Sequence, residues 1–186
     1  MNNNILLPIF EEYKTLRTES IESIKGQQST LRIGTATIAI LVVSGFNLWD
    51  KPILPHIMFL LFIPFTSYLS LIIWIGEVAR MMRVGFFLSK IEDKVNIYFK
   101  EENLISWENW LRTQDLKGKT NQMKLNYLAI VALFFATALA SIFIGNFGIW
   151  HIWSLRVKIL INVFESISFT IVLLIILKTG KRFKSS

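Results

Sequence analysis

Glu165 is the residue whose type and position point most directly to chemistry. It lies near the middle of an apolar run, residues 152–177, that is followed by the basic tail KTGKRFKSS. If this run crosses a membrane, an ionised carboxylate there is costly and must face a partner charge, water or the interior of a helix bundle. Glu165 therefore predicts either an ion pathway or a buried polar contact.

Other side chains share a helical face with Glu165. Spacings of three and four residues bring side chains to one side of a helix, and this pattern joins Lys158, Asn162, Glu165, Ser166 and Phe169. In a homo-oligomer such a stripe can line a pore. In the alternative interpretation, Glu165 is protonated and hydrogen-bonds to a neighbouring helix as a structural contact.

Two basic residues lie within about two turns of the outer end of the same run, Arg156 and Lys158. Their side chains can extend to the lipid headgroups while the stems stay in apolar surroundings. The alternative is a ring of positive charge at the outer mouth of a pore.

A second set of charged side chains falls just outside the apolar runs. Glu77, Arg80 and Arg83 follow one another at three-residue spacing, and Arg17 and Glu19 precede the first run. Opposite charges on neighbouring helices form ion pairs, whereas clustered arginines can bind an anion. These five residues are therefore candidates for ion pairs or for a ligand site on the cytoplasmic side.

The basic and aromatic stretch at 80–94, RMMRVGFFLSKIEDK, has the residue types that bind nucleic acid. However, residues 76–124 contain nine Lys or Arg and seven Asp or Glu, a net charge of only +2. Basic bias next to a membrane, together with core packing, explains this stretch better.

Enzyme chemistry has little support in the sequence. The chain has no cysteine, and His56 and His151 are far apart, each without a second ligand at metal spacing. It contains no zinc-protease, P-loop or serine-hydrolase motif. We therefore expect no catalytic residue, no metal site, no cofactor and no enzymatic activity.

Four apolar runs must position these residues, at 31–48, 53–75, 125–144 and 152–177. Each is close to or above the roughly 17 to 25 residues that cross a bilayer as a helix. Pro64 lies inside the second run and is expected to bend it. The chain is thus predicted to be all-α, a single integral membrane domain over residues 1–186 with four transmembrane helices.

Helices are predicted to extend beyond two of these runs. Residues 8–30 read as a cytoplasmic helix with Pro8 in its first turn. The second run is predicted to continue as one helix to about Phe99, because apolar residues follow at coiled-coil spacing. This apolar seam consists of Met81, Val84, Leu88, Ile91, Val95 and Tyr98.

The remaining connections are predicted as shorter pieces. Ser106 can cap a short helix that presents Trp107 and Trp110 on one interfacial face. Residues 113–122, which include Gly118, read as a flexible loop. A short connection is expected at 145–151.

The distribution of Lys and Arg predicts the orientation. Four lie before or at the start of the first run, at Lys14, Arg17, Lys25 and Arg32. Nine lie between the second and third runs and four follow the fourth, whereas only Lys51, Arg156 and Lys158 lie toward the other side. The positive-inside rule places the richer side in the cytoplasm. Aromatic residues then mark the outer interface (Trp49, Trp150 and Trp153) and the inner one (Trp74 and Tyr127).

Two patterns carry a resemblance to a known family. One is YKTLRTE at 13–19 with QQ at 27–28. The other is E-x-x-R-x-x-R-x-G-x-x-L-x-x-I-E at 77–92, followed by WE at 107–108. Over residues 12–112 the chain resembles small bacterial four-span membrane effectors of antiphage defence, of the Hailong type. The resemblance implies an oligomeric channel whose opening harms the infected cell, under the control of an oligonucleotide made by a partner nucleotidyltransferase.

The leading hypothesis from the sequence is therefore a homo-oligomeric ion channel in the bacterial inner membrane, with a tetramer as one candidate assembly. Its expected partners are further copies of the chain, the lipid bilayer, and a nucleotidyltransferase product or a cytoplasmic protein. The alternative is a non-conducting scaffold that holds a cytoplasmic partner at the membrane.

We predict that both termini lie in the cytoplasm, because of the asymmetry in Lys and Arg. Reporter fusions placed after Ser186 and within residues 145–151 should give signals from opposite sides of the membrane. Signals from the same side would exclude the four-span arrangement.

Overall fold

The chain is all-helical wherever the structure, a computed structural model, describes it: residues 3–101, 104–114, 120–149 and 154–182. Six α-helices and one π-helical turn fill almost all of these ranges, and no strand occurs in them. The predicted all-α class is confirmed. Trp150 and Trp153, two of the predicted interface residues, lie outside the described residues, as does His151.

Helix α1 runs from Asn3 to Asn47 as one helix of 45 residues. It therefore joins the segments 8–30 and 31–48 without a break. Pro8 lies inside this helix, so its predicted place in the first turn was wrong. A proline this close to a helix start removes only the backbone hydrogen bond to the carbonyl of Asn4, which the helix tolerates near its end.

The second helical stretch has a defect near its start. Helix α2 spans Leu54–Ile57, a π-helical turn spans Met58–Phe62, and α3 spans Ile63–Phe99. In the π-turn the Ile63 N–H donates to the carbonyl of Met58, five residues earlier. Pro64 cannot donate to Leu60, and its ring would clash with that carbonyl in a regular helix. The wider turn directly before Pro64 accommodates both effects.

Helix α3 is uninterrupted over 37 residues and ends at Phe99, the residue to which the apolar pattern extends the second run. Val84, Leu88 and Val95 of the predicted seam are buried. Tyr98, the last member, is 58% exposed, because the helix ends one residue later.

Three more helices follow: α4 at Trp107–Gln114, α5 at Thr120–Ile149 and α6 at Leu155–Arg182. The loop predicted at 113–122 was too long, because α4 and α5 both extend into it. Gly118, which motivated that prediction, lies outside the described residues.

The connection predicted at 145–151 was also wrong in its first part, because α5 continues to Ile149. Gly145 is buried inside this helix. A Cβ atom at Gly145 would lie 2.6 Å from Cγ of Leu60. The glycine therefore serves a close approach between two helices rather than a turn.

The chain divides into two compact units. The first, here the polar unit, comprises Met1–Gln27 and Gly76–Tyr127, and the second, here the apolar unit, comprises Gln28–Ile75 and Leu128–Ser186. In the apolar unit, parts of α1, α3 and α5 meet where small residues allow it. A Cβ at Gly34 of α1 would lie 2.6 Å from Oγ of Ser70 on α3.

Four helical stretches are long and apolar enough to cross a membrane: Leu7–Asn47, Leu54–Phe99, Leu125–Phe147 and Arg156–Thr179. Each of the four predicted runs falls largely within one of these stretches. Their large apolar side chains are extensively exposed, for example Ile40 at 66% and Phe143 at 73%. Such surfaces are typical of helices whose surroundings are lipid.

Two glycines provide a matched test of the packing of the apolar unit. Gly145→Ala should destabilise it, because overpacking at such a contact costs typically 1–3 kcal/mol. Gly76→Ala should be neutral or stabilising by about 0.5–1 kcal/mol, since a Cβ there meets nothing within 4 Å. Thermal unfolding in detergent measures both. Equal melting temperatures for the two variants would contradict the close approach of Gly145 to Leu60.

Candidate functional site

A fully buried carboxylate organises the polar unit. Glu92 on α3 has no exposed surface. Its Oε1 and Oε2 accept the backbone N–H of Glu108 at 2.9 and 3.0 Å, and Oε2 also accepts that of Asn109 at 3.0 Å. These N–H groups belong to the first turn of α4, where a helix has no internal acceptors and where its dipole favours negative charge. Glu92 thus acts as the N-terminal cap of α4 from another helix.

Helix α1 contributes to the same carboxylate. The Tyr13 hydroxyl donates to Oε1 of Glu92 at 2.9 Å. Burial, the hydrogen bond and the negative charge of Glu92 together raise the pKa of Tyr13 to about 12. The phenol therefore stays protonated as a donor, and one carboxylate joins α1, α3 and α4. Glu92, Tyr13, Glu108 and Asn109 are referred to below as the Glu92 cluster.

The turn after α3 brings α4 back to Glu92. Lys100 has a φ of 56°, and its N–H and that of Glu101 donate to the carbonyls of Ile97 and Asn96. This is the hydrogen-bond pattern of a Schellman motif, with lysine where glycine is usual. The side chain of Asn96 then bonds both the N–H and the carbonyl of Ile105.

Asn109 locks the start of α4 to α3 from the other side. Its Nδ2 donates to Asp93 at 2.7 Å, and its Oδ1 accepts the Ser89 hydroxyl at 2.6 Å. With the bonds of Glu92, these contacts attach the first turn of α4 to one face of α3. Ser106, the predicted cap, occupies the N-cap position of α4, because its carbonyl accepts the Trp110 N–H at 2.7 Å. The N–H groups that its side chain would bond donate to the Glu92 carboxylate instead.

Among the predicted ligand or ion-pair residues, Arg17 lies beside the Glu92 cluster. Its guanidinium stands 5.3 Å from the ring centre of Trp107 and 3.8 Å from Oε2 of Glu108. Trp107 in turn stacks on Trp110 at 5.7 Å, and both indoles are 50% exposed. Arg17 therefore combines a cation–π contact with an ion pair across α1 and α4.

Glu19, Glu77 and Arg80 come together as an ion-pair cluster. Arg80 Nε–H donates to Glu19 Oε1 at 2.9 Å, and its NH1 lies 4.0 Å from Oε2 of Glu77. The hydrogen bond with Glu19 is the main cause of a raised pKa for Arg80. Arg83, the fifth predicted residue, is exposed. With two carboxylates facing Arg80, this arrangement is suited to joining α1 and α3 and less suited to holding an anion.

In the apolar unit, some residues of the predicted α6 stripe face the interior of the chain and others line a groove on its surface. Glu165 is only 5% exposed and faces the interior of its own chain. Phe169 packs edge-on against Phe135 of α5 at 4.9 Å. The side chain of Asn162 pairs with Asn146 of α5 through reciprocal amide bonds of 3.1 and 3.2 Å.

The other members of the stripe border an open groove of about 860 Å³ along α6. Lys158, Asn162 and Ser166 line it, and Thr170 continues the line with the same spacing of four residues. The Ser166 and Thr170 hydroxyls are exposed and donate to the carbonyls of Asn162 and Ser166. Their oxygen lone pairs remain available to the groove. Asn146 and the apolar side chains of Ile159, Val163, Ile167 and Ile171 complete the lining, and this groove is called the α6 groove below.

Six residues of these sites were missed from the sequence: Tyr13, Glu92, Glu108, Asn109, Asn146 and Thr170. Two of them, Thr170 and Glu92, had a signal in the sequence. Thr170 continues the i, i+4 spacing from Asn162 and Ser166, so helical periodicity contains the signal. Glu92 lies four residues after Leu88, on the buried face of the seam. A charged residue at an apolar seam position was the sign of a specific polar partner.

Neither site contains a group of side chains suited to binding a metal ion. Within the described ranges, no three His, Cys, Asp or Glu side chains group as they would to hold an ion. His56 is buried and packs edge-on against Trp49 at 5.7 Å.

The chain matches no model of a known protein family, and it matches neither a curated protein nor a solved structure. The chemistry of the Glu92 cluster and of the α6 groove is therefore the basis for assigning a function.

Replacing the carboxylate of Glu92 should release α4. Glu92→Gln loses charge-assisted bonds, which contribute about 1.5–3 kcal/mol each, and brings an amide donor against the N–H groups of Glu108 and Asn109. Tyr13→Phe removes one neutral donor and should cost less, about 0.5–1.5 kcal/mol. Amide hydrogen exchange over Trp107–Gln114 should accelerate in that order.

Glu12→Gln is the matched control, since Glu12 is exposed on α1. It should leave exchange in α4 at the wild-type rate. Unchanged exchange in Glu92→Gln would show that α4 is held by other contacts.

Proposed function

We propose that this chain is a multi-pass protein of the bacterial inner membrane that assembles with copies of itself into an ion-conducting channel. The observation that supports this most strongly is the line of polar side chains on the outer surface of α6. Insertion in a membrane is supported by the four long apolar helices and their exposed apolar side chains. The excess of Lys and Arg outside the apolar runs supports cytoplasmic termini and a cytoplasmic segment at 76–124.

Helix α6 is the least covered of the four candidate spans. Only 11% of its most apolar stretch is buried within the chain, against 50% for Leu54–Phe99. Its surface carries a row of four polar residues, of which Lys158 and Asn162 are half-buried and Ser166 and Thr170 are exposed. Polar side chains within a membrane usually face a bundle interior or water rather than lipid. A second copy of the chain against this row provides such an environment and supports the homo-oligomer.

This row of polar side chains on α6 is also suited to conducting ions. Hydroxyl and amide oxygens along a pathway replace part of the hydration of a passing ion, and the α6 groove presents such oxygens from Asn162 to Thr170. Glu165 and Phe169 face the interior of their own chain in the described structure, so the proposed pathway is carried by Lys158, Asn162 and Ser166 of the predicted set, together with Thr170. Lys158 contributes positive charge toward the outer end.

A role as an effector in antiphage defence extends this proposal and is supported by the resemblance over residues 12–112. In that role, opening would dissipate ion gradients of the infected cell, under the control of a nucleotide or oligonucleotide. Of the three candidate arginines, Arg17 and Arg80 face carboxylates, whereas Arg83 is exposed. Arg83 is therefore the guanidinium most accessible to a phosphate group.

The second candidate function is a non-conducting scaffold, and the stacked pair Trp107 and Trp110 favours it. Both rings are half-exposed, and Leu104, three residues before Trp107, is 53% exposed. Exposed tryptophans commonly anchor protein partners. In this case the membrane helices would hold a cytoplasmic protein that docks on α4.

Conductance of the purified protein in planar bilayers separates the two functions. We expect wild-type oligomers to carry current, and Ser166→Ala combined with Thr170→Val to lower the conductance several-fold. These changes nearly preserve volume but remove the oxygens from the groove, and apolar constrictions block ions by excluding water.

Thr137→Val on α5 is the control. Its hydroxyl donates to its own helix, at Leu133, and it does not line the groove, so conductance should be unchanged. Oligomer size, measured by light scattering, should match in all three proteins. Wild-type oligomers without current would favour the scaffold, and normal currents in the double variant would place the pathway elsewhere.

A further inference from the structure

Three buried side chains of the apolar unit have a polar atom without a hydrogen-bond partner in the described structure: His56, Tyr68 and Glu165. Tyr68 and Glu165 are the two considered below. Glu165 on α6 and Tyr68 on α3 are each 5% exposed. Neither Oε2 of Glu165 nor the Tyr68 hydroxyl has a hydrogen-bond partner in the described structure. Because buried polar groups without partners are costly, these two atoms require an explanation.

The two side chains share one region of the unit. Aromatic rings connect them: the ring centres of Tyr68 and Phe135 are 6.1 Å apart, and those of Phe135 and Phe169, one turn beyond Glu165, are 4.9 Å apart. Glu165 and Tyr68 therefore lie in a common, largely aromatic environment.

Other described groups do not neutralise this carboxylate. The buried hydroxyls of Ser67 and Ser141 donate to carbonyls of their own helices, those of Ile63 and Ala138. His56 of α2 packs against Trp49, with 5.7 Å between the ring centres. Lys158 lies seven residues earlier on α6, about 10 Å along the helix axis.

This donor set fits a proton better than a metal ion. Hard cations take about six or more oxygen ligands, and Glu165 and Tyr68 together offer three oxygens. A proton needs one base and one acceptor for the resulting hydrogen bond. An isolated carboxylate in an apolar interior becomes neutral by taking up a proton rather than remaining an ion.

We infer that Glu165 and Tyr68 form an intramembrane proton-binding site inside a single chain. The Glu165 carboxylate takes up one proton from the aqueous phase and becomes a carboxylic acid. A small movement of the two side chains, which are not bonded to each other in the described structure, then lets this acid hydrogen-bond with the Tyr68 hydroxyl. The site rests on the proposed insertion of the apolar unit in a membrane, but it does not require that the protein conducts ions. It gives Glu165 a role distinct from the surface row of α6.

Infrared spectroscopy of the full chain in lipid vesicles tests the site. A protonated carboxylic acid has a carbonyl stretch separate from those of carboxylates and amides, and this band shifts in heavy water. We expect the band in the wild type at neutral pH, its loss in Glu165→Gln, and a changed frequency in Tyr68→Phe, where the phenol partner is missing. Glu12→Gln, at an exposed position, should keep the wild-type band.

Three results would overturn the inference: no protonated carboxyl band in the wild type at neutral pH, a band that survives in Glu165→Gln, or an unshifted band in Tyr68→Phe. Should Glu165→Gln fail to fold, the wild-type band and its frequency in Tyr68→Phe decide the matter. Because this readout is independent of current, its failure is distinguishable from failure of the channel proposal.

Discussion

The polar unit depends on one constraint: the buried carboxylate of Glu92 must receive hydrogen bonds. Glu92 loses all contact with solvent, and that is tolerable only because two backbone N–H groups of α4 and the Tyr13 hydroxyl donate to it. The same bonds satisfy the first turn of α4, which would otherwise lack acceptors. The carboxylate and the helix start thus stabilise each other, and the positions of three helices follow from one side chain.

The arginines near this cluster depend on the same arrangement. Arg17 reaches Glu108 and Trp107 only because Glu92 holds the start of α4 against α3. The Glu19–Arg80 pair then adds a second connection between α1 and α3. Its side chains are more than one-third exposed, so solvent screens it, and we assign the larger part of the stability to the buried cluster.

Apolar periodicity was sufficient to predict the helices, because a long helix needs one continuous apolar face and little else. The seam residues Val84, Leu88 and Val95 are buried as that argument requires. The partner of Glu92 could not be predicted in the same way. It lies 16 residues away on a separate helix, and contact depends on the left-handed turn at Lys100, a conformation for which lysine carries no signal. Similarly, helical spacing placed Glu165 on the polar face of α6, but it could not predict whether other helices of the same chain pack against that face.

Glu92 and Glu165 are both buried carboxyl groups, but their surroundings offer them different hydrogen-bond donors. In the polar unit, a helix start supplies backbone donors, so Glu92 can keep its charge while fully buried. The helices around Glu165 bond their own backbone groups internally, and Oε2 of Glu165 has no hydrogen-bond partner in the described structure. A neutral acid is the form compatible with those surroundings. Ser166 and Thr170 present a third case, since both are exposed on α6 and their hydroxyls donate only to carbonyls of their own helix. In the proposed channel, water and further copies of the chain would surround these two hydroxyls, as polar groups within a membrane require.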